Sequence, residues 1–430
     1  MKYSGIKWIG EIPDNWNVRK VKQCFYISKE QAHEENPTIL SLARAGVKVR
    51  DISNNEGQLA ASYDNYNPVM PGDLLLNPMD LYSGANCSLS EVSGVISPAY
   101  INLKKKVELN SKFYDYYFKT QYWAMAMFAH GKGVSFDNRW TMNAETLLNY
   151  YLPFPSSDMQ DKIVDLINKK TAEIDSLIEI ENQQIEKLKE YKQAVITEAV
   201  TKGLDNNVAM KDSGVDWIKK IPYSWEVVPL KSLFNNGKGL PITKENLTES
   251  GIKVISYGQI HAKYNNPVSI DERLYRFVAE EWLKTNSECL VKKSDFIFAD
   301  TSEDVSGSGD FIYIDREDKI FAGYHCVVLK AKTKQNYKYL AYLFMSQLWK
   351  NQIQCKVKGV KLFSISQTIL MSTSVILPSI EEQKEIVSKL DSIIESINKT
   401  IEIKHKKIEQ LEEYKKSLIF EYVTGKKEVC

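Results

Sequence analysis

Residues 160–203 read QDKIVDLINKKTAEIDSLIEIENQQIEKLKEYKQAVITEAVTKG, and residues 383–426 read QKEIVSKLDSIIESINKTIEIKHKKIEQLEEYKKSLIFEYVTGK. The two stretches align without a gap, with Ile163/Ile386, Ile185/Ile408, Leu188/Leu411 and the EYK triplets at 190–192 and 413–415 in register. Neither body contains glycine or proline. Both are rich in Glu, Lys, Gln, Ile and Leu and carry apolar residues at three- and four-residue steps, the pattern of a long amphipathic helix. In the later copy the expected seam runs Ile386, Leu390, Ile393 and Ile397, then polar Lys404 and Lys407, then Leu411, Tyr414 and Leu418, close to a heptad. A helix of about 42 residues rising about 1.5 Å per residue is about 60 Å long, too long to bury its stripe against one small domain. A solvated helix without a partner would leave that stripe wet, so the two copies are expected to pair with each other. Antiparallel pairing about a pseudo-twofold axis brings repeat-equivalent residues near the midpoint together. Glu181 and Lys404, both at seam positions, are therefore the candidate helix-pairing residues, a polar layer of the kind that fixes register; the alternative leaves both in solvent.

A second segment also recurs. SGIKWIGEIPDNWNVRKVK at 4–22 returns as SGVDWIKKIPYSWEVVPLK at 213–231, with Ser4/Ser213, Trp8/Trp217, Ile9/Ile218, Pro13/Pro222, Trp16/Trp225 and Val18/Val227 in register. A proline-marked exit, LPFPS or ILPS, precedes each long helix. A repeat of this size organises the whole chain: a globular domain at 1–155, a spacer helix at 156–205, a second globular domain at 206–378 and a second spacer helix at 379–430. The two globular blocks mix β-rich runs, glycine turns and aromatic helical stretches, an α+β composition. They share a skeleton. PGDLLLNPMD (71–80) has its counterpart in KKSDFIFADT (292–301), FYDYYFKTQYW (113–123) in YLAYLFMSQLW (339–349), and GKGV (131–134) in VKGV (357–360). The intervening loops diverge, as expected of two domains that share a fold and face different ligands.

Composition narrows the class. A chain of 430 residues is long for one core, and 43% hydrophobic with 26% charged residues is ordinary for a folded, soluble protein. The six cysteines are scattered without metal-ligand spacing and the opening MKYSGIKWIG lacks a signal peptide's apolar run, so a reducing cytoplasm is the expected compartment. No stretch approaches the roughly 20 apolar residues that span a bilayer. A formal charge of +1 means that any contact with phosphates must come from local basic patches.

Catalytic motifs are missing. There is no P-loop signature. The tetrapeptide NPMD at 77–80 is the nearest approach to an adenine-methyltransferase motif, yet it lacks the second proline and the aromatic residue that would stack on a flipped base. The five histidines show no helical metal spacing and suggest no Ser/His/Asp set. The acidic stretch DFIFADTSEDVSGSGD at 295–310 reads as a strand followed by a solvated Gly/Ser loop in preference to a metal site.

Two variable domains alternating with two repeated helices, each domain opening on W-I-x-x-I-P-x-x-W at 8–16 and 217–225, resemble the specificity subunits of type I restriction-modification systems over the whole chain. The one departure between the copies' turns is Ser294-Asp295 where the first has Gly72-Asp73. The resemblance implies an α+β architecture of two α/β target recognition domains separated by two long antiparallel coiled-coil helices with a pseudo-twofold internal repeat. It implies a non-catalytic, cytoplasmic host-defence protein that reads a bipartite, asymmetric target in double-stranded DNA. It implies two adenine methyltransferase (modification) subunits and two restriction/translocase subunits as partners. The chain itself would hold no cofactor; S-adenosylmethionine, ATP and magnesium would belong to those partners. Two domains on a rigid spacer can touch half-sites about 34 Å apart, one helical turn of DNA.

Direct readout needs Arg, Lys, Asn, Gln or Ser side chains at base edges and basic or hydroxyl groups at phosphates. By loop position and residue type the candidates are Arg44, Lys48, Arg50, Asn77, Tyr82, Lys132 and Arg139 in the first domain, and Lys238, Tyr257, Gln259, His261, Lys263, Lys358 and Lys361 in the second. The main competing reading is a coiled-coil scaffold with two domains for protein or sugar ligands, which near-neutral charge permits. A nuclease or stand-alone methyltransferase is a further alternative that the missing motifs disfavour.

Overall fold

The computed structural model describes residues 1–32, 37–43, 45–51, 62–79, 81, 87–133, 140–205, 207–359 and 362–429. It divides into two compact units, residues 1–182 with 404–430 and residues 183–403, so each long helix is shared between them.

In the first unit a four-stranded antiparallel sheet has the order Phe25–Ile27, Ile101–Lys105, Leu74–Leu76, Cys87–Leu89. Leu74, Leu75 and Leu76 are buried on both faces, which is why this run is continuously apolar. The helix Ser111–Trp123 sits on the sheet through Phe113, Tyr114, Tyr117, Phe118 and Tyr122, all buried, and its N-terminus is capped by the Asn110 carboxamide, which accepts from the Lys112 and Phe113 amides. Asn17–Lys20 of the opening motif pairs with Tyr151–Phe154, the strand that enters the first long helix.

The second unit repeats this plan: Phe234–Lys238, Cys326–Ala331, Phe296–Ala299, Phe311–Tyr313, again all antiparallel and in the equivalent order. Glu226–Pro229 pairs with Ser374–Leu377 as its counterpart pair does in the first unit. The second unit adds a five-stranded sheet, Leu247–Thr248, Arg276–Val278, Ile252–Ile255, Ile320–Ala322, Leu290–Val291, with one parallel pair. One repeated segment folds differently. Residues 113–123 lie on one helix, whereas 339–349 run over Tyr337–Met345 and Gln347–Gln354, because Ser346 turns extended and its hydroxyl caps the Trp349 amide.

The turn where the copies differ keeps its geometry. Gly72 has φ +92° and Ser294 φ +82°, and in both the following aspartate receives an amide from three residues back, Met70 to Asp73 (3.0 Å) and Lys292 to Asp295 (2.8 Å). The serine therefore occupies a backbone region that glycine enters freely.

The long helices run Ser157–Lys202 and Ile380–Val423. They are antiparallel: in the first unit Asp175 binds Lys415 (2.6 Å) while Glu181 binds Lys404 (2.9 Å) and Lys407 (2.6 Å), the partner number falling as the first rises. The seam of the second helix departs from the expected one by a residue at two places. Ile394 is buried where Ile393 was expected, and Tyr414 points to solvent while the next residue, Lys415, reaches across. The helical period of 3.6 drifts against a strict 3.5, so the contact stripe slips over so long a run.

Each opening motif closes on a helix end. Gly425 and Gly203 stop the helices in the left-handed region, φ +71° and +83°. A Cβ at Gly425 would fall 2.4 Å from Pro13 and 3.1 Å from Trp16; one at Gly203 would meet Glu382 and Trp225 at 3.2 and 3.5 Å. The Lys426 ammonium donates to the Ile9 carbonyl (3.1 Å) and to that of Glu11, and the Trp225 indole donates to Glu382 (3.0 Å). The first motif is thus held by the end of the second helix, and the second motif by the end of the first.

Candidate nucleic-acid interface

In the second unit the strand Phe296–Ala299 delivers Asp300 and then a loop, 301–310, to the mouth of a cleft of about 790 Å³. The cleft is lined by residues of that loop, by Tyr257, Gly258, His261 and Lys263 from the far wall, and by His325 and Leu362. A two-residue ladder, Thr301–Ser302 with Phe363–Ser364, anchors the loop's start. Inside the loop Asp304 accepts from the Gly307 amide and the Ser306 hydroxyl, both at 2.7 Å, and Gly307 lies so close to Ser302 that a Cβ would come within 2.5 Å of its hydroxyl.

His261 ties the two ends of this loop together. Its Nε2 is 2.9 Å from the Thr301 carbonyl and its Nδ1 3.2 Å from the Asp310 carboxylate. Both partners are acceptors, so satisfying both requires N–H on both ring nitrogens, the cationic imidazolium. The hydrogen bond to Asp310 raises the His261 pKa above its ordinary value, burial working against it and the Thr301 carbonyl with it. Asp310 also receives Lys350 (2.6 Å); burial pushes its carboxyl up, but His261 and Lys350 outweigh that and hold it below the usual range. His325, which also lines the cleft at φ +55°, sits 3.2 Å from Asp300 and edge-on to Tyr257.

The cleft gathers three of the sequence candidates, Tyr257, His261 and Lys263. Lys238 and Lys358 are exposed and do not line it, and Gln259 spends its carboxamide oxygen on the Ser256 amide as a helix cap (3.1 Å). In the first unit Lys48 is exposed on a hairpin, Lys132 is exposed beside Thr141, and Arg50 is half-buried. Asn77 is buried, its carboxamide oxygen held by the Met79 amide and its carbonyl by the Tyr122 hydroxyl, which makes it a turn residue. Arg44, Tyr82, Arg139 and Lys361 lie outside the described residues. The sequence reads the carboxylates of 295–310 as solvated and does not single out Lys350, whereas the fold pairs Asp310 with Lys350 across 40 positions with no motif to mark them. Among the described residues no group of three or more His, Cys, Asp or Glu is placed to hold a metal ion, and no helix is long and apolar enough to cross a membrane.

Residues 222–413 match the Type I restriction modification DNA specificity domain. That match covers most of the second sheet-rich unit and part of the second long helix, and along most of its length the chain is similar to specificity subunits of type I restriction-modification systems. It is 25% identical over 364 residues to the type I restriction enzyme MjaVIII specificity subunit of Methanocaldococcus jannaschii, covering 83% of this chain and 80% of that protein. To the EcoBI specificity subunit of Escherichia coli it is 24% identical over 374 residues, 83% of this chain and 74% of that one. Two solved structures share the fold. A chain described in work on complex assembly and conformational transition of the type I R-M system superposes with a TM-score of 0.66 at 13% identity, covering 96% of this chain and 98% of that one. The HsdS subunit of Thermoanaerobacter tengcongensis does so at 0.52 and 12%, covering 99% and 100%.

Proposed function

We propose that the chain reads a bipartite, asymmetric duplex-DNA target, one half with each variable domain, and docks methyltransferase and restriction subunits that carry S-adenosylmethionine, ATP and magnesium while it performs no chemistry. The observation that carries the reading is a strand framework present twice with different loops at its mouth. The second unit's cleft offers the mixture base edges demand: a lysine and a tyrosine as donors, and the exposed Glu303 as an acceptor for the amino groups of cytosine or adenine. Lys263, exposed at the cleft, supplies a phosphate contact locally, which suits a nearly neutral chain.

Docking is supported by the helices. Equivalent apolar side chains are exposed in both copies, Ile180 (44%) and Ile403 (66%), Tyr191 (56%) and Tyr414 (53%). A surface that occurs twice serves a partner that binds twice. The test is to co-express the chain with its methyltransferase and map methylated adenines across the genome by single-molecule sequencing. Two short fixed blocks around an unread spacer are expected, and exchange of residues 206–378 should alter one block. Methylation indifferent to this chain would leave the scaffold reading in its place.

A further inference from the structure

The two long helices must choose partners, and most of their seam gives no basis for choice. Ile163 and Ile386, Ile174 and Ile397, Ile185 and Ile408, and Leu188 and Leu411 are repeat equivalents, every one buried or half-buried. Apolar burial has no direction, so these layers would pack as well if either helix paired antiparallel with a second copy of itself. The outer polar pairs are equally indifferent. Asp175 binds Lys415 in the first unit, and the equivalent pair in the second unit is Asn398 with Lys192 (3.2 Å). Self-pairing of the first helix would set Asp175 against Lys192 twice, and self-pairing of the second Asn398 against Lys415 twice. Summed over the two products, the inventory of pairs is unchanged.

The layer at Glu181 is different. Glu181 is 6% exposed, and its carboxylate is held by Lys404 (2.9 Å) and Lys407 (2.6 Å). Its repeat equivalent is Lys404 itself, and the equivalent of Lys407 is Gln184. Native pairing therefore supplies one glutamate, one glutamine and two lysines. The first helix against itself supplies two glutamates, two glutamines and no cation. The second against itself supplies four lysines and no acid. A charge left in a protein seam without its counter-ion is unfavourable, most of all for the largely buried Glu181 and Lys404 and less for Lys407, whose side chain is 54% exposed, and like charges facing each other reject a wrong partner.

We propose that Glu181, Lys404 and Lys407 form a partner-selecting layer: each repeat of the chain accepts the other repeat and rejects a second copy of itself, so that neighbouring chains do not exchange helices. The layer sets charge against charge where the repeat-equivalent apolar pairs offer no preference.

The test uses the folded full chain. A protease site is inserted after Asn207, in the exposed stretch that follows the first helix, and the purified protein is nicked. It is mixed with nicked protein whose first fragment carries a mass tag, and urea is raised until tagged first fragments appear beside untagged second fragments, which shows that pairs have opened. Native mass spectrometry then counts the pairs. Mixed pairs are expected to exceed self-pairs by about tenfold or more, the ratio that a single lost charge pair produces. Glu181→Gln with Lys404→Gln and Lys407→Gln should raise self-pairs by a similar factor. Glu181→Lys with Lys404→Glu and Lys407→Gln, which restores opposite charges, should restore exclusivity; thermal unfolding of the uncut variants separates partner choice from loss of fold. Self-pairs at the statistical frequency in the unaltered protein, or a neutral layer as exclusive as the native one, would overturn the proposal.

Discussion

Replacing His261 by leucine removes both hydrogen bonds that tie the ends of the 301–310 loop. The bond to the Thr301 carbonyl is an ordinary one, about 1 kcal/mol. The bond to Asp310 is charge-assisted and would contribute about 1.5–3 kcal/mol if fully buried, but both side chains are partly wet, 25% and 31% exposed, and Asp310 keeps Lys350. Discounting for that screening leaves about 1 kcal/mol, and the two together about 2 kcal/mol, some 30-fold in the closed-to-open ratio of the loop. Since the folded-state pKa of His261 is raised, its contribution is fully present below the unfolded value near 6.5 and is lost as pH climbs through the folded value above it. Hydrogen exchange read by mass spectrometry, corrected for intrinsic rates, should show protection of 301–310 falling between neutral and alkaline pH in the native protein. In His261→Leu protection should be low and flat with pH. Equal protection in the two proteins, or the same pH profile, refutes the staple. The adenine methylation map supplies the functional readout: one block of the motif should relax and the other stay intact.

Three further outcomes follow from particular atoms. Ser294→Gly releases left-handed strain of about 1–2 kcal/mol and loosens the unfolded chain by about 0.4–1 kcal/mol, so urea unfolding should report a gain of about 0.5–1 kcal/mol, and Gly72→Ser a loss of similar size. Gly425→Ala, whose Cβ meets Pro13 at 2.4 Å, should cost about 2–3 kcal/mol against about 1–2 for Gly203→Ala, where the nearest atom is the mobile end of Glu382; chemical denaturation of the two variants in parallel decides this. Tyr191→Asp with Tyr414→Asp should leave the melting temperature within a degree or two, since both rings are exposed, while methyltransferase retained in pull-down falls about tenfold or more; unchanged retention removes these tyrosines from the docking surface.

The helices and the repeat were legible in the sequence because their signal is local and redundant. A gapless apolar stripe such as Ile163, Ile174 and Ile185 encodes a face, and its second copy encodes a partner. The same reasoning placed Tyr414 in the seam because periodicity alone cannot register the slip that puts Lys415 there. The cleft was legible in part. Tyr257, His261 and Lys263 fall within seven consecutive residues and travel together, so choosing that segment chose all three. Asn77 and Gln259 have the chemistry of base readers, yet each side-chain oxygen is committed to a backbone amide nearby, a local competition that residue type does not disclose. Asp310 and Lys350 were out of reach for the opposite reason: their meeting depends on the pairing of four strands and the docking of a helix.

The serine at 294 shows what the duplication preserves. The loops of the two domains differ, but the strand order is kept, and the turn before the central strand keeps a left-handed residue even where serine stands in place of glycine. That turn aims Asp73 and Asp295 back at their own loops, and Asp295 also receives the Ala331 amide from the neighbouring strand (2.9 Å), fixing where the central strand begins. With that start fixed, the four residues Phe296–Ala299 determine where the loop 301–310 leaves the sheet. A strained serine is thus tolerated at a position upstream of the cleft because shifting it would displace the whole 301–310 loop at once, whereas the loop's own residues can change singly. Framework strain and loop divergence are two sides of one constraint: the scaffold holds position so that the contacts can vary.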